Sequence, residues 1–187
     1  VTSTTVTLVY NEPLDSAKAA SISNYSIDNG LSVISASAVA PLFDKVSILL
    51  NTSISVGTIY SITAANVTDC AGNMIGNNKT VRFGVSEDAD SLDIVINEIL
   101  FNPRPDGVDY VELYNRSKKI IDLSKIYLAN RNSSNVISSI VQASIESILL
   151  FPGDYMVLTS DPALVKQQYL TTNPDAFISV GSMPSFS

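Results

Sequence analysis

Five oxygen-bearing side chains crowd one stretch of this sequence: Asn97, Glu98, Asp106, Asp109 and Glu112 lie between Asp93 and Ser117. Oxygen donors of this kind suit a hard cation such as Ca²⁺, which takes about six to eight of them. In a strand, however, neighbours such as Asn97 and Glu98 point to opposite faces. The expectation is therefore that these carboxylates are solvated or bond nearby groups, and that they form no metal site. Asp69, Gly72 and Asn73 could suggest a second calcium loop, but a turn in which Asx side chains bond the backbone explains them as well. Asp15, with Glu12 upstream of it, reads as a helix cap rather than a catalyst.

Nucleophilic chemistry finds no support. The chain has no histidine, so the commonest general base and metal ligand is missing. No Gly-x-Ser-x-Gly elbow occurs, and Cys70, the single cysteine, has no histidine to activate it. Nothing in the spacing of the acids supports a glycosidase pair. The expectation is a chain that is no enzyme, with no catalytic residue, metal or cofactor. Asn-x-Ser/Thr occurs at Asn24, Asn51, Asn66, Asn78, Asn115 and Asn132. Asp15-Ser16-Ala17 and Asp90-Ser91-Leu92 fit an Asp-Ser/Thr-apolar O-glycosylation pattern. Chance explains such matches in a chain rich in Asn, Ser and Thr.

The composition sets limits. The chain has 187 residues and 45% apolar residues, enough for one or two ordinary cores. A formal charge of −7 disfavours nucleic acid, whose phosphates an acidic chain repels. No run approaches the ~20 apolar residues of a membrane helix, so no membrane insertion is expected. One cysteine permits no internal disulfide.

The elements that must position these residues read as short strands. Thr4 to Tyr10, Ile22 to Ile27, Leu31 to Val39, Val46 to Leu50, Ile59 to Ala64 and Lys79 to Phe83 are separated by turn signals such as Asp28-Asn29-Gly30 and Asp69-Cys70-Ala71-Gly72-Asn73. Residues 85–92 are polar and acidic and read as a linker between domains at 1–84 and 93–187. Asp93 to Phe101 and Tyr110 to Asn115 read as a hairpin-like pair around Asn102-Pro103-Arg104-Pro105-Asp106-Gly107. In its second strand Val111 and Leu113 face one way, and Tyr110, Glu112 and Tyr114 the other. Asp122 to Arg131, Val136 to Val141, Ile145 to Leu150, Tyr155 to Thr159 and Ala176 to Val180 follow as strands. A short helix capped by Ser160 or Asp161 runs to about Tyr169. Alternation predicts Val6, Leu8, Ile59 and Ile62 in the first core, with Ile59 and Ile62 out of phase. It predicts Ile94, Ile96, Val111, Leu113 and Leu158 in the second.

Two stretches resemble known families. Ile96-Asn97-Glu98-Ile99, Asn102-Pro103, Asp109-Tyr110-Val111-Glu112-Leu113-Tyr114-Asn115 and Ile121-Asp122-Leu123-Ser124 resemble the start of a lamin-tail domain. Tyr110 stands where that family usually has Trp, Lys125 where it has Gly, and Tyr127 near the place of a second Trp. Val6 to Asp15, Asn24-Tyr25-Ser26-Ile27, Gly57 to Ile62 and Val67 to Asn73 resemble a bacterial Ig-like domain of the surface-layer type. That family's opening strand would lie before Thr4, which makes the N-terminus look cropped.

These resemblances imply an all-β chain of two tandem immunoglobulin-like β-sandwiches. Because the lamin-tail family usually continues past Met183-Pro184-Ser185, the second sandwich is expected to be incomplete at its C-terminus. The implied function is a non-catalytic structural or adhesive module of a larger bacterial secreted or cell-surface protein. Its expected partners are a protein or glycan at that surface, or another copy through an open sheet edge. The alternative is an accessory module of a secreted hydrolase or nuclease whose catalytic domain lies elsewhere.

Overall fold

The computed structural model describes residues 4–76 and 79–184, and the chain divides into two compact units, Val1–Val85 and Ser86–Ser187. Asn78 and Ser185 lie outside the described residues.

The first unit is a sandwich of two antiparallel sheets. One has the order β1 (Thr5–Val9), β4 (Lys45–Leu50), β3 (Val33–Ala38); the other has β2 (Tyr25–Ile27), β5 (Tyr60–Ala64), β6 (Thr80–Phe83). Period-2 alternation sends Val6 and Leu8 of β1, and Val46, Ile48 and Leu50 of β4, into the core. From β5 the inward set is Tyr60, Ile62 and Ala64. Ile59, expected in the core, precedes β5 and is only half-buried; the buried Tyr60 shares the phase of Ile62 and stacks on Phe83, ring centroids 5.5 Å apart. Ile22–Asn24, expected as strand, is a 3₁₀ turn closed by Asn24 N–H to Ser21 O. The short helix α1 (Ser16–Ala19) is capped as its sequence predicts: Asp15 Oδ1 accepts from Ala17 and Lys18 N–H at 3.0 and 3.1 Å.

The second unit packs a four-stranded sheet against two smaller ribbons. The sheet order is β14 (Phe177–Ser179), β13 (Tyr155–Thr159), β8 (Tyr110–Asn115), β7 (Ile94–Leu100). The ribbons are β9 (Ile121–Asp122) with β12 (Leu149–Leu150), and β10 (Tyr127–Arg131) with β11 (Ile137–Gln142). Val111, Leu113 and Leu158 meet Leu123, Leu128 and Leu150 in the core between them. β14 runs parallel to β13 and is reached through helix α2 (Pro162–Gln168), because parallel neighbours need a crossover. Asp161 caps α2 by accepting from Leu164 N–H at 3.0 Å, with Pro162 at its first turn.

Several expectations for this unit change. Ile96 is exposed rather than in the core, for a reason taken up below. The strand expected over Ile145 to Leu150 shrinks to Leu149–Leu150; Ser144 Oγ donates to Glu146 O, which turns the chain there and leaves Ile145 in solvent. The strand expected over Asp122 to Arg131 is broken by a 3₁₀ turn at Leu123–Lys125, with Asp122 accepting from Ser124 N–H. The stretch expected as a linker is tied to the second unit. Glu87 N–H donates to Ile120 O at 2.8 Å, Asp88 pairs with Lys125, and Asp90 with Lys119.

Candidate functional site

The outer face of β7 and β8 holds the richest set of polar and aromatic groups in the second unit. The register of the two strands shifts between Ile96 and Glu98, so Asn97 is the extra residue of a β-bulge. The bulge cancels the alternation assumed from sequence. Asn97 Nδ2 donates to Glu112 Oε1 at 2.6 Å, and Glu98 Oε1 on the same face accepts from the Tyr110 hydroxyl at 2.6 Å. Burial, and then Glu98 beside it, push the Tyr110 phenol above its ordinary range. Glu98 and Glu112 are direct cross-strand partners, an arrangement of like charges that weakens a sheet. Farther along, Tyr114 and Tyr155 stack across β8 and β13 with centroids 4.6 Å apart.

The remaining members of the proposed oxygen cluster do not join this face. Asp109 contributes its backbone carbonyl, which accepts from Thr159 Oγ1 at 2.8 Å, and Asp106 sits exposed in the turn with φ +61°. Among the described residues no three or more His, Cys, Asp or Glu side chains converge as a metal would need. Asp69 organises its own turn: Oδ1 accepts from Ala71 and Asn73 N–H, and Oδ2 from Asn73 Nδ2 at 2.7 Å. The Asn73 side chain, then its backbone, hold the Asp69 carboxyl below the ordinary carboxylate range. Cys70 is exposed, with Sγ 3.5 Å from Leu14 O.

Of the glycosylation patterns, the structure separates acceptors from structural residues. Asn24 is buried and donates to Lys18 O. Asn115 is fully buried and is a hub: Nδ2 donates to Lys119 O and Leu150 O, while Oδ1 accepts from Ser117 N–H and Oγ. Asn51, Asn66 and Asn132 are exposed, as are Ser16 and Ser91.

Lys119, which the sequence places in the short basic run Arg116-Ser117-Lys118-Lys119 expected to be a solvated loop, is instead paired with the spaced acids upstream. Its ammonium sits 2.6 Å from Asp90 and 2.8 Å from Asp93. It clamps the entry of the second unit onto the loop after β8. The hydrogen bonds from Lys119, then from Asp90 N–H, hold the Asp93 carboxyl below its ordinary range.

Sequence led to the expectation of an open sheet edge but did not place one at β7. β7 ends its sheet with no strand beyond it among the described residues; Ile96 and Ile99 along it, and Phe101 just past its end, are exposed. A groove of about 360 Å³ runs between β7 and β10, past Ile94, Ile96, Leu113, Tyr127 and Leu128.

The second unit is thus an immunoglobulin-like β-sandwich with a bulged, open edge strand. Its residues 87–178 match the model of the family described as Lamin Tail Domain. No curated protein matches the chain. Solved structures similar to it include surface layer protein SbsC, domains 1-6, at 17% identity and TM-score 0.42, and the N-terminal part of the bacterial S-layer protein SbsC at the same identity and score. Both alignments cover 84% of this chain, which spans only 22% of the first structure and 37% of the second. A TM-score of 0.42 does not establish a common fold.

Proposed function

We propose that this chain is a non-catalytic structural or adhesive module of a bacterial secreted or cell-surface protein. In this reading the first unit is the Ig-like spacer its residues resemble, and the lamin tail domain makes contacts with other chains. The observation that carries the reading is the flank of β7, where Ile96, Ile99 and Phe101 stay exposed beside an unpaired strand edge. Unpaired edges bind by adding a strand, and exposed apolar residues beside them supply the affinity. The bulge at Asn97 interrupts the edge ladder, so the apolar side chains carry more of the contact than the backbone does. Among the described residues no helix is long and apolar enough to cross a membrane.

The test is light scattering over a range of chain concentrations. Association that rises with concentration, and is lost in Ile96→Lys with Ile99→Lys, supports the reading; a strictly monomeric chain at every concentration contradicts contact through this edge. The non-catalytic part has its own test. The purified chain is expected to turn over no hydrolase or nuclease substrate, with or without divalent metal. Metal-dependent DNA cleavage abolished by Glu98→Gln would overturn it.

A further inference from the structure

The first unit has an opening of its own. A groove of about 830 Å³ lies between β1 and the β5–β6 pair, floored by Leu8, Leu14, Ile62 and Val67 and walled by Ile75 and Val81. Three observations describe what it lacks.

The first is backbone. Tyr10 N–H donates to Asp44 O, and Thr4 O accepts from Leu50 N–H. In an antiparallel ladder these bonds recur at every second residue, so Val6 and Leu8 also face β4. The N–H and C=O of Thr7 and Val9, which line the groove, therefore point away from β4, and β1 is the terminal strand of its sheet. The second is apolar cover. Val81 pairs directly with the buried Ile62 and sits two residues from the buried Phe83, so its side chain faces the core, yet it is 48% exposed. The third is a hydroxyl. Thr68 lines the groove and is 2% exposed, and its Oγ1 has no hydrogen-bond partner, which is costly in such a place.

An apolar small molecule would cover Val81 and leave the Thr7 and Val9 amides unmet. A small polar molecule would do the reverse. One extended chain does both: its backbone continues the β1 ladder and alternate side chains fill the floor above Thr68. The charge at the rim adds a preference. Glu12 and Asp69 line the groove against Lys79, the only cation among the described residues of the lining, and Asp69 is held in place by Asn73. We propose that this groove is an acceptor slot for an extended peptide strand donated by another polypeptide, with apolar residues at alternate positions and a basic residue at an end. This is separate from the β7 contact and does not depend on it.

The probe is the peptide Lys-Thr-Val-Thr-Val-Thr-Val-Lys. Its control has proline in place of each threonine, which removes the donors a ladder needs. Binding is followed with the whole chain by fluorescence anisotropy and by amide hydrogen exchange. The expected result is saturable binding of the threonine peptide alone, with exchange at Thr7 and Val9 slowed about tenfold or more. Two substitutions should each abolish it: Val81→Lys, which places a charge in the wall, and Val9→Pro, which removes an outward N–H from an edge strand. Unchanged thermal unfolding in at least one of them separates lost binding from lost folding. The proposal is overturned if neither peptide binds, or if the proline peptide binds equally well. It is also overturned if Thr7 and Val9 are already protected in the free monomer, or if protection tracks chain concentration and not peptide, since a second copy would then be the occupant.

Discussion

Ile96 stands directly opposite Leu113 across the β7–β8 ladder, on the same face of the sheet, yet Leu113 is 2% exposed and Ile96 54%. Their side chains point the same way, and only the layer above them differs. Leu113 shares its core cluster with Leu128 and Leu150 of the ribbons and Leu123 of the 3₁₀ turn, whereas over Ile96 the sandwich opens toward β10. Facing the core and being buried in it are thus separate properties at an edge strand.

This separation gives a mutational contrast. Leu113→Ala should cost about 2–5 kcal/mol, the usual range for a buried leucine. Ile96→Ala removes surface that is already half in water and should cost under about 1 kcal/mol. Urea unfolding of the two variants measures both. Equal losses would show that the flank is closed in solution.

Asn115 should be more sensitive than its polar side chain suggests. Its amide is the partner of two carbonyls, Lys119 O and Leu150 O, and it ties the loop after β8 to β12. Asn115→Ala leaves both acceptors unmet, at about 1–3 kcal/mol for each that stays buried. Asn115→Asp should do worse at neutral pH, since it sets a buried carboxylate against the same carbonyls. Unfolding midpoints across the series wild type, Ala, Asp should fall in that order; an Asp variant as stable as wild type would show that water reaches the site.

What could be read in the sequence was what short-range rules decide. Alternation placed Val6, Leu8, Ile62, Val111, Leu113 and Leu158, and the caps at Asp15 and Asp161 followed from the residues next to them. The motifs around Asn97 and Tyr110 named the family whose model matches residues 87–178 before any fold was seen. What escaped depends on distant partners. The bulge at Asn97 exists only in the pairing of β7 with β8, and it moved Asn97 and Glu98 to one face. Ile145 looked like strand by composition, but the Ser144 turn and the short partner β9 decide otherwise. The partners of Lys119 lie 26 and 29 residues away, beyond any local pattern.

Exposure also sorts the modification patterns. If the chain is made in a host that N-glycosylates Asn-x-Ser/Thr, then among the described sites only Asn51, Asn66 and Asn132 should carry sugar in the folded product. Asn24 and Asn115 are buried with their amides engaged, so a glycan on either would prevent folding. Glycopeptide mass spectrometry of the soluble fraction reads this directly. Sugar on Asn115 in soluble, cooperatively unfolding protein would contradict the buried hub.

The clamp at the entry of the second unit sets its pH response. Asp93 is held below its ordinary value of 3.8 by the Lys119 ammonium, and Asp88 likewise by Lys125. Asp122 is pulled up by burial, but the Ser147 hydroxyl and the Ser124 N–H outweigh this and leave it lowered as well. A carboxyl depressed in the folded state adds stability above its unfolded value, and that stability is lost as pH falls through the folded one. Lys119 is raised from 10.5 by Asp90 and then Asp93, so its contribution is full below that value and is lost only as pH climbs past its folded value. The melting temperature should therefore be flat from roughly pH 5 to pH 9 and fall on the acid side first. Most of these groups touch water, so added salt should shrink the acid-side drop. Asp93→Asn keeps the side-chain shape but cannot titrate; its curve should start lower at pH 7 and lose less between pH 5 and pH 2. An Asp93→Asn curve parallel to wild type across the acid limb would show that the Lys119 clamp does not govern acid stability.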